Sequence, residues 1–78
     1  MARIIWLPDA SQEFLDVCEY LELRAGSDVC TRFASNVIRL ITELESQPYL
    51  GAEVPEYGCE ELRERFHQNY RIIYRLAL

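Results

Sequence analysis

The chain has no lysine. All eight of its basic side chains are arginine, set against 13 acids for a formal net charge of -5. Arginine is planar, permanently charged and able to grip a carboxylate with paired donors, so cationic tasks fall to that chemistry and not to a flexible ammonium. The acidic balance argues against a general nucleic-acid binder, because phosphate affinity is built from cationic contacts, and sequence-specific nucleic-acid binding is not expected. Histidine occurs once, and the three cysteines, Cys18, Cys30 and Cys59, are odd in number, far apart and without a CxxC pair. That set argues against a zinc site, and no other metal or cofactor motif is visible. Long apolar runs are missing too, as is an N-terminal apolar core followed by a cleavage site. The expectation is a cytoplasmic, reduced protein with no membrane partner.

What is present is a single small domain over residues 1–78, half of it hydrophobic, near the lower limit for a self-sufficient core. A partner chain or a second copy would add stability by binding only the folded state. Charge is uneven: residues 1–58 carry four Arg and ten acids, whereas residues 59–78 carry four Arg and three Glu. Any function needing positive charge concentrates near the C-terminal end.

Arg3-Ile4-Ile5-Trp6-Leu7 is a run of β-formers ended by Pro8 and reads as a first strand. Asp9, with Gln12 three residues on, reads as the cap of a first helix whose stripe is Phe14, Cys18, Leu21 and Ala25 and which stops at Gly26. Ser27 or Asp28 caps a second helix carrying Phe33, Val37, Leu40, Ile41 and Leu44, ending before Gln47-Pro48. The short link makes them an antiparallel hairpin. Pro48 to Gly58 is a long loop. Two β-rich runs then flank a turn at His67-Gln68-Asn69. The expected fold class is α+β, in the order strand, helix, helix, strand, strand, with the helical hairpin packed on a small antiparallel sheet.

Alternation places Arg63 and Arg65 on one face of the first hairpin arm and Arg71 and Arg75 on one face of the second. The opposite face carries Leu62, Glu64 and Phe66, then Tyr70, Ile72, Tyr74 and Leu76, and is expected to meet the helices. Glu64 is the misfit there and needs a cation, a hydroxyl or solvent.

The segments Val54-Pro55-Glu56, Leu62-Arg63-Glu64 and Asn69-Tyr70-Arg71-Ile72-Ile73-Tyr74-Arg75, following a helical hairpin, resemble the RelE/ParE toxin superfamily of bacterial type II toxin–antitoxin systems. The resemblance implies a small toxin, associated with plasmid stabilisation and neutralised by a cognate antitoxin whose disordered segment folds on its surface. RelE-like members cleave messenger RNA on the ribosome; ParE-like members poison DNA gyrase without known enzymatic chemistry. The resemblance also implies a further strand after Leu78, which this sequence does not contain. Where RelE-like nucleases carry lysines, this chain has Leu62 and Glu64, which cannot stabilise a phosphorane-like transition state. Arg71 alone matches the catalytic arginine of the nuclease branch, and toxins of the group are usually basic while this one is acidic. The ParE-like, gyrase-poisoning reading is therefore preferred. The alternatives are a RelE-like ribosome-dependent endonuclease and a truncated remnant that only binds antitoxin.

Two readings of the hairpin stay open. Arg63, Arg65, Arg71 and Arg75 form either a cluster that grips carboxylates of an antitoxin or target, or a solvated ribbon face paired with Glu60, Glu61 or Glu64. Tyr70 and Tyr74 are either partner-binding or core edges with a hydroxyl reaching solvent. His67 reads as an exposed turn histidine, since no nucleophile or acid is identifiable beside it. An unpaired edge over Tyr70 to Leu78 is a template for strand addition by an antitoxin segment or by a second copy in a homodimer.

Overall fold

In the computed structural model, which describes residues 2–77, the first helix, α1, runs Pro8–Ala25 and the second, α2, runs Ser27–Thr42. Helix α1 starts earlier than the Asp9 cap reading, with Leu7 as its extended N-cap and Pro8 in the first turn, where a missing N–H costs nothing. Asp9 sits in that turn instead, and Gln12 donates to Asp16 one turn on at 2.9 Å. Gly26 alone joins the helices. Its φ of 97° is open to glycine without penalty, and its N–H closes α1 on the Glu22 carbonyl at 3.1 Å. Helix α2 ends in a short 3-10 turn, Glu43–Glu45.

Three antiparallel strands follow in spatial order: β1 Ala52–Glu53, β2 Leu62–His67 and β3 Tyr70–Arg75. The α+β class and the helical hairpin over a small antiparallel sheet hold. The membership of the sheet differs at one end. Arg3–Leu7 is outside it, although burial still alternates along it, with Ile4 and Trp6 half-buried and Ile5 and Leu7 exposed. Its β-formers favour an extended backbone, but a strand exists only with a neighbour to take its hydrogen bonds. The third strand comes instead from Ala52–Glu53, inside the segment that reads as loop.

The core lies between α2 and the sheet. Phe33, Val37, Leu44 and Val54 are its buried apolar residues, and α1 contributes none. Instead α1 is tied in through rings. Trp6 meets Phe14 edge-on at 5.5 Å, Phe14 stacks on Phe33 at 6.0 Å, and Phe33 meets Tyr70 at 5.0 Å. That chain of aromatics runs from the N-terminal segment through both helices to the hairpin. Among the described residues no helix is long and apolar enough to cross a membrane.

Candidate functional site

The hairpin turn sets the site. It spans two residues, Gln68 and Asn69, and not the three His67-Gln68-Asn69, with Gln68 taking the positive φ of 54°. A two-residue turn pairs odd positions of β2 with even positions of β3: Arg63 with Tyr74, Arg65 with Ile72, His67 with Tyr70. Directly paired residues share a face. The four arginines are therefore split, contrary to the single arginine face. Arg63 and Arg65 lie on the helix side with Tyr70, Ile72 and Tyr74. Arg71 and Arg75 lie on the open side with Leu62, Glu64, Phe66 and Ile73.

On the helix side the polar groups are committed to the fold. Arg63 donates from Nε to the Gly51 carbonyl at 2.8 Å and from Nη1 to the Glu60 carbonyl at 2.9 Å, with its guanidinium 5.2 Å from the Tyr49 ring. Arg65 donates to the Leu40 carbonyl and to Glu43, both at 2.8 Å, capping the negative end of α2. That hydrogen bond holds the Glu43 carboxyl below its usual range. The Tyr74 hydroxyl donates to the Pro48 carbonyl at 2.7 Å and accepts the Gly51 N–H at 3.0 Å. His67 is a half-buried strand residue with its ring 5.7 Å from Phe33, not an exposed turn histidine. It lines a small cleft with Gln68, Arg32 and Asn36.

The open face centres on Arg71. Its Nη1 lies 2.8 Å from one oxygen of Glu56 and 3.1 Å from the other, and 3.2 Å from Glu64 Oε1. This supplies the partner that Glu64, only 8% exposed, requires. Val54-Pro55-Glu56 explains the approach of Glu56. Val54 is fully buried, its N–H donates to Leu62, and its carbonyl accepts from Tyr57 and Gly58. Gly58 takes the left-handed φ of 57° that completes the turn. The chain thus doubles back and sets Glu56 over Arg71. A backbone hydrogen bond within Glu56, then the bond from Arg71, hold the Glu56 carboxyl below its usual range, and Glu56 in turn raises Arg71 further.

Around this clamp Phe66 is 58% and Ile73 47% exposed, and Arg75 has no ion-pair partner among the described residues. Two carboxylates around one guanidinium leave the centre net negative. It can hold a protein surface through apolar contact and through the uncommitted edge of Arg71, but it offers no excess positive charge to a phosphate. Among the described residues no three His, Cys, Asp or Glu side chains are grouped to hold a metal ion. The sequence signal for Glu56 was its place in the Val54-Pro55-Glu56 motif. What hid the pairing is that Glu56 reaches Arg71 through a turn within a stretch that reads as plain loop.

Away from the hairpin, Cys18 and Cys30 face each other across the helical pair, both half-buried. Burial, then the neighbouring Cys30, push the Cys18 thiol above its usual range.

A family model described as the ParE toxin of the type II toxin–antitoxin system, parDE, matches residues 4–77. Comparisons with curated proteins and with solved structures give no match.

Proposed function

The chain belongs to the ParE toxin family of type II toxin–antitoxin systems, and on that premise we propose that it acts by binding, poisoning DNA gyrase, and that a cognate antitoxin neutralises it. The observation that carries this reading is the clamp on Arg71. The one residue matching the nuclease arginine is matched by two carboxylates, Glu56 and Glu64, at 2.8 and 3.2 Å. A site that cuts RNA must stabilise added negative charge in the transition state. This one opposes it. Loss of the nuclease lysines at Leu62 and Glu64 acts in the same direction, since Glu64 is itself half of the clamp.

The partner-facing set is narrower than the four arginines and two tyrosines of the hairpin. Arg63, Arg65 and Tyr74 brace the loop and the end of α2 and Tyr70 packs on Phe33, while Arg71 and Arg75, with Phe66 and Ile73, face outward. Controlled expression in a bacterium, with message 5′ ends mapped after induction, tests the reading. Growth arrest with intact messages is expected. New ends within translated messages would overturn it in favour of a ribosome-dependent endonuclease, and unimpeded growth would leave only an antitoxin-binding remnant.

A further inference from the structure

Cys18 and Cys30 are brought together by the packing of the helical pair, and the hairpin site uses neither. On α1, Cys18 follows Phe14 by four residues; on α2, Cys30 precedes Phe33 by three and Val37 by seven, so each thiol shares a helix stripe with the ring beside it. The stacking of Phe14 on Phe33 at 6.0 Å fixes the antiparallel register of the two helices. One turn nearer the link on each helix, that register sets Cys18 against Cys30. Gly26 alone makes the link, which keeps the adjoining helix ends together. Packed helix axes lie about 8–10 Å apart with Cα atoms about 2.3 Å off each axis, leaving facing Cα atoms about 3.5–5.5 Å apart. A disulfide spans about 4.4–6.8 Å between Cα atoms, so the two ranges overlap.

Both cysteines are half-buried, so a small oxidant can reach them. The thiols also sense each other, since Cys30 adds to the rise that burial imposes on Cys18. We propose that Cys18 and Cys30 form a redox-modification site, at which a peroxide converts the dithiol to an intrachain disulfide that staples α1 to α2. The Cys30 sulfur attacks one peroxide oxygen, the O–O bond breaks, and the departing hydroxide takes the Cys30 proton as water, leaving a sulfenic acid. The Cys18 sulfur then attacks the Cys30 sulfur, the S–O bond breaks, and the Cys18 proton leaves with that oxygen as a second water. Two thiols lose two electrons and one peroxide gains them. The staple falls where the fold is held least, because α1 has no buried residue and is tied in through the Phe14 ring. A disulfide of this kind fits a sensing role better than a permanent one, since reducing surroundings return it to the dithiol. Nothing in this site depends on the toxin reading.

The chain carries its own readout. Its trypsin sites are all arginines, and Arg24 lies between the two cysteines. Digestion without reductant therefore separates residues 4–24, which hold Cys18, from residues 25–32, which hold Cys30, unless a disulfide joins them. The folded whole chain is exposed to hydrogen peroxide, its remaining thiols are blocked, and it is weighed, digested and melted. The expected product is a monomer in which Cys18 and Cys30 have lost two hydrogens, with 4–24 joined to 25–32 and Cys59 outside the link. Its Tm lies about 10 °C or more above that of the reduced chain, and dithiothreitol reverses both changes. Cys59→Ser keeps the link and the Tm rise; Cys18→Ser and Cys30→Ser each lose both. Oxygen added to single cysteines with no joined peptide, a link that includes Cys59, or links between chains that grow with concentration overturn the proposal. So does a joined peptide whose Tm is unchanged or lowered, since the bridge then staples nothing.

Discussion

Replacing Gly51 by alanine probes how tightly the loop before β1 is pressed to the sheet. A Cβ there would lie 2.5 Å from the Glu64 carbonyl oxygen, 2.8 Å from the Tyr74 hydroxyl and 2.9 Å from a Tyr74 ring carbon. The hydroxyl and ring can rotate away. The Glu64 carbonyl belongs to the central strand and cannot move without disturbing both ladders. Relief therefore requires the loop to lift, which breaks the Gly51 N–H bond to Tyr74 and the Arg63 bond to the Gly51 carbonyl. Overpacking costs about 1–3 kcal/mol, and each lost hydrogen bond adds about 0.5–1.5 kcal/mol. With one overpacked site and two lost bonds at the middle of these ranges, Gly51→Ala destabilises by about 4 kcal/mol. For a domain of this size each kcal/mol moves Tm by about 4–8 °C, so a fall of about 16–32 °C is expected in a circular-dichroism melt. Tyr74→Phe in the same background should not rescue it, because the backbone oxygen stays in place. A Tm within about 2 °C of the parent would refute the close approach.

Other expectations follow from single contacts. Phe33→Ala removes the ring shared by Phe14, His67 and Tyr70 and should cost about 3–5 kcal/mol, read by urea denaturation, with early loss of protection where α2 meets the hairpin. Gln68→Gly relieves the positive φ and should raise stability by about 0.5 kcal/mol after the extra freedom of the unfolded chain is subtracted, read as a higher urea midpoint. The Glu56 carboxyl has a lowered folded-state pKa, so its contribution is fully present above the ordinary carboxylate value and fades as pH falls through the lowered one. The Glu56 side-chain resonance should titrate below the usual glutamate range of about 4.3, and Arg71→Leu should move it only part of the way back, since the backbone hydrogen bond remains.

Much of the architecture was legible from periodicity. The stripe through Phe33 and Val37 fixed which face of α2 is buried, and the β-formers on either side of Gln68-Asn69 fixed the hairpin. Each miss came from a property decided by neighbours. Arg3–Leu7 has strand composition and alternating burial, yet pairing depends on which edge lies beside it. Ala52–Glu53 is too short to show any alternation and becomes a strand only because Gly51 lets the chain lie against Glu64. The split of the arginines hinged on one residue of turn length, which reverses the parity of the whole pairing. Once that register is known, the Glu64 misfit resolves into its ion pair with Arg71, and Arg63 and Arg65 are seen to bond within the fold, to Gly51, Glu60, Leu40 and Glu43.

The central claim is that this toxin acts by binding and not by cutting RNA, and a gyrase assay tests it most directly. Purified, folded chain would be titrated into DNA gyrase acting on relaxed plasmid, with supercoiled, relaxed and cleaved DNA resolved after protein denaturation. The account predicts lost supercoiling or trapped cleaved DNA that grows with chain concentration. Unimpaired supercoiling with no cleaved product at saturating chain would contradict it.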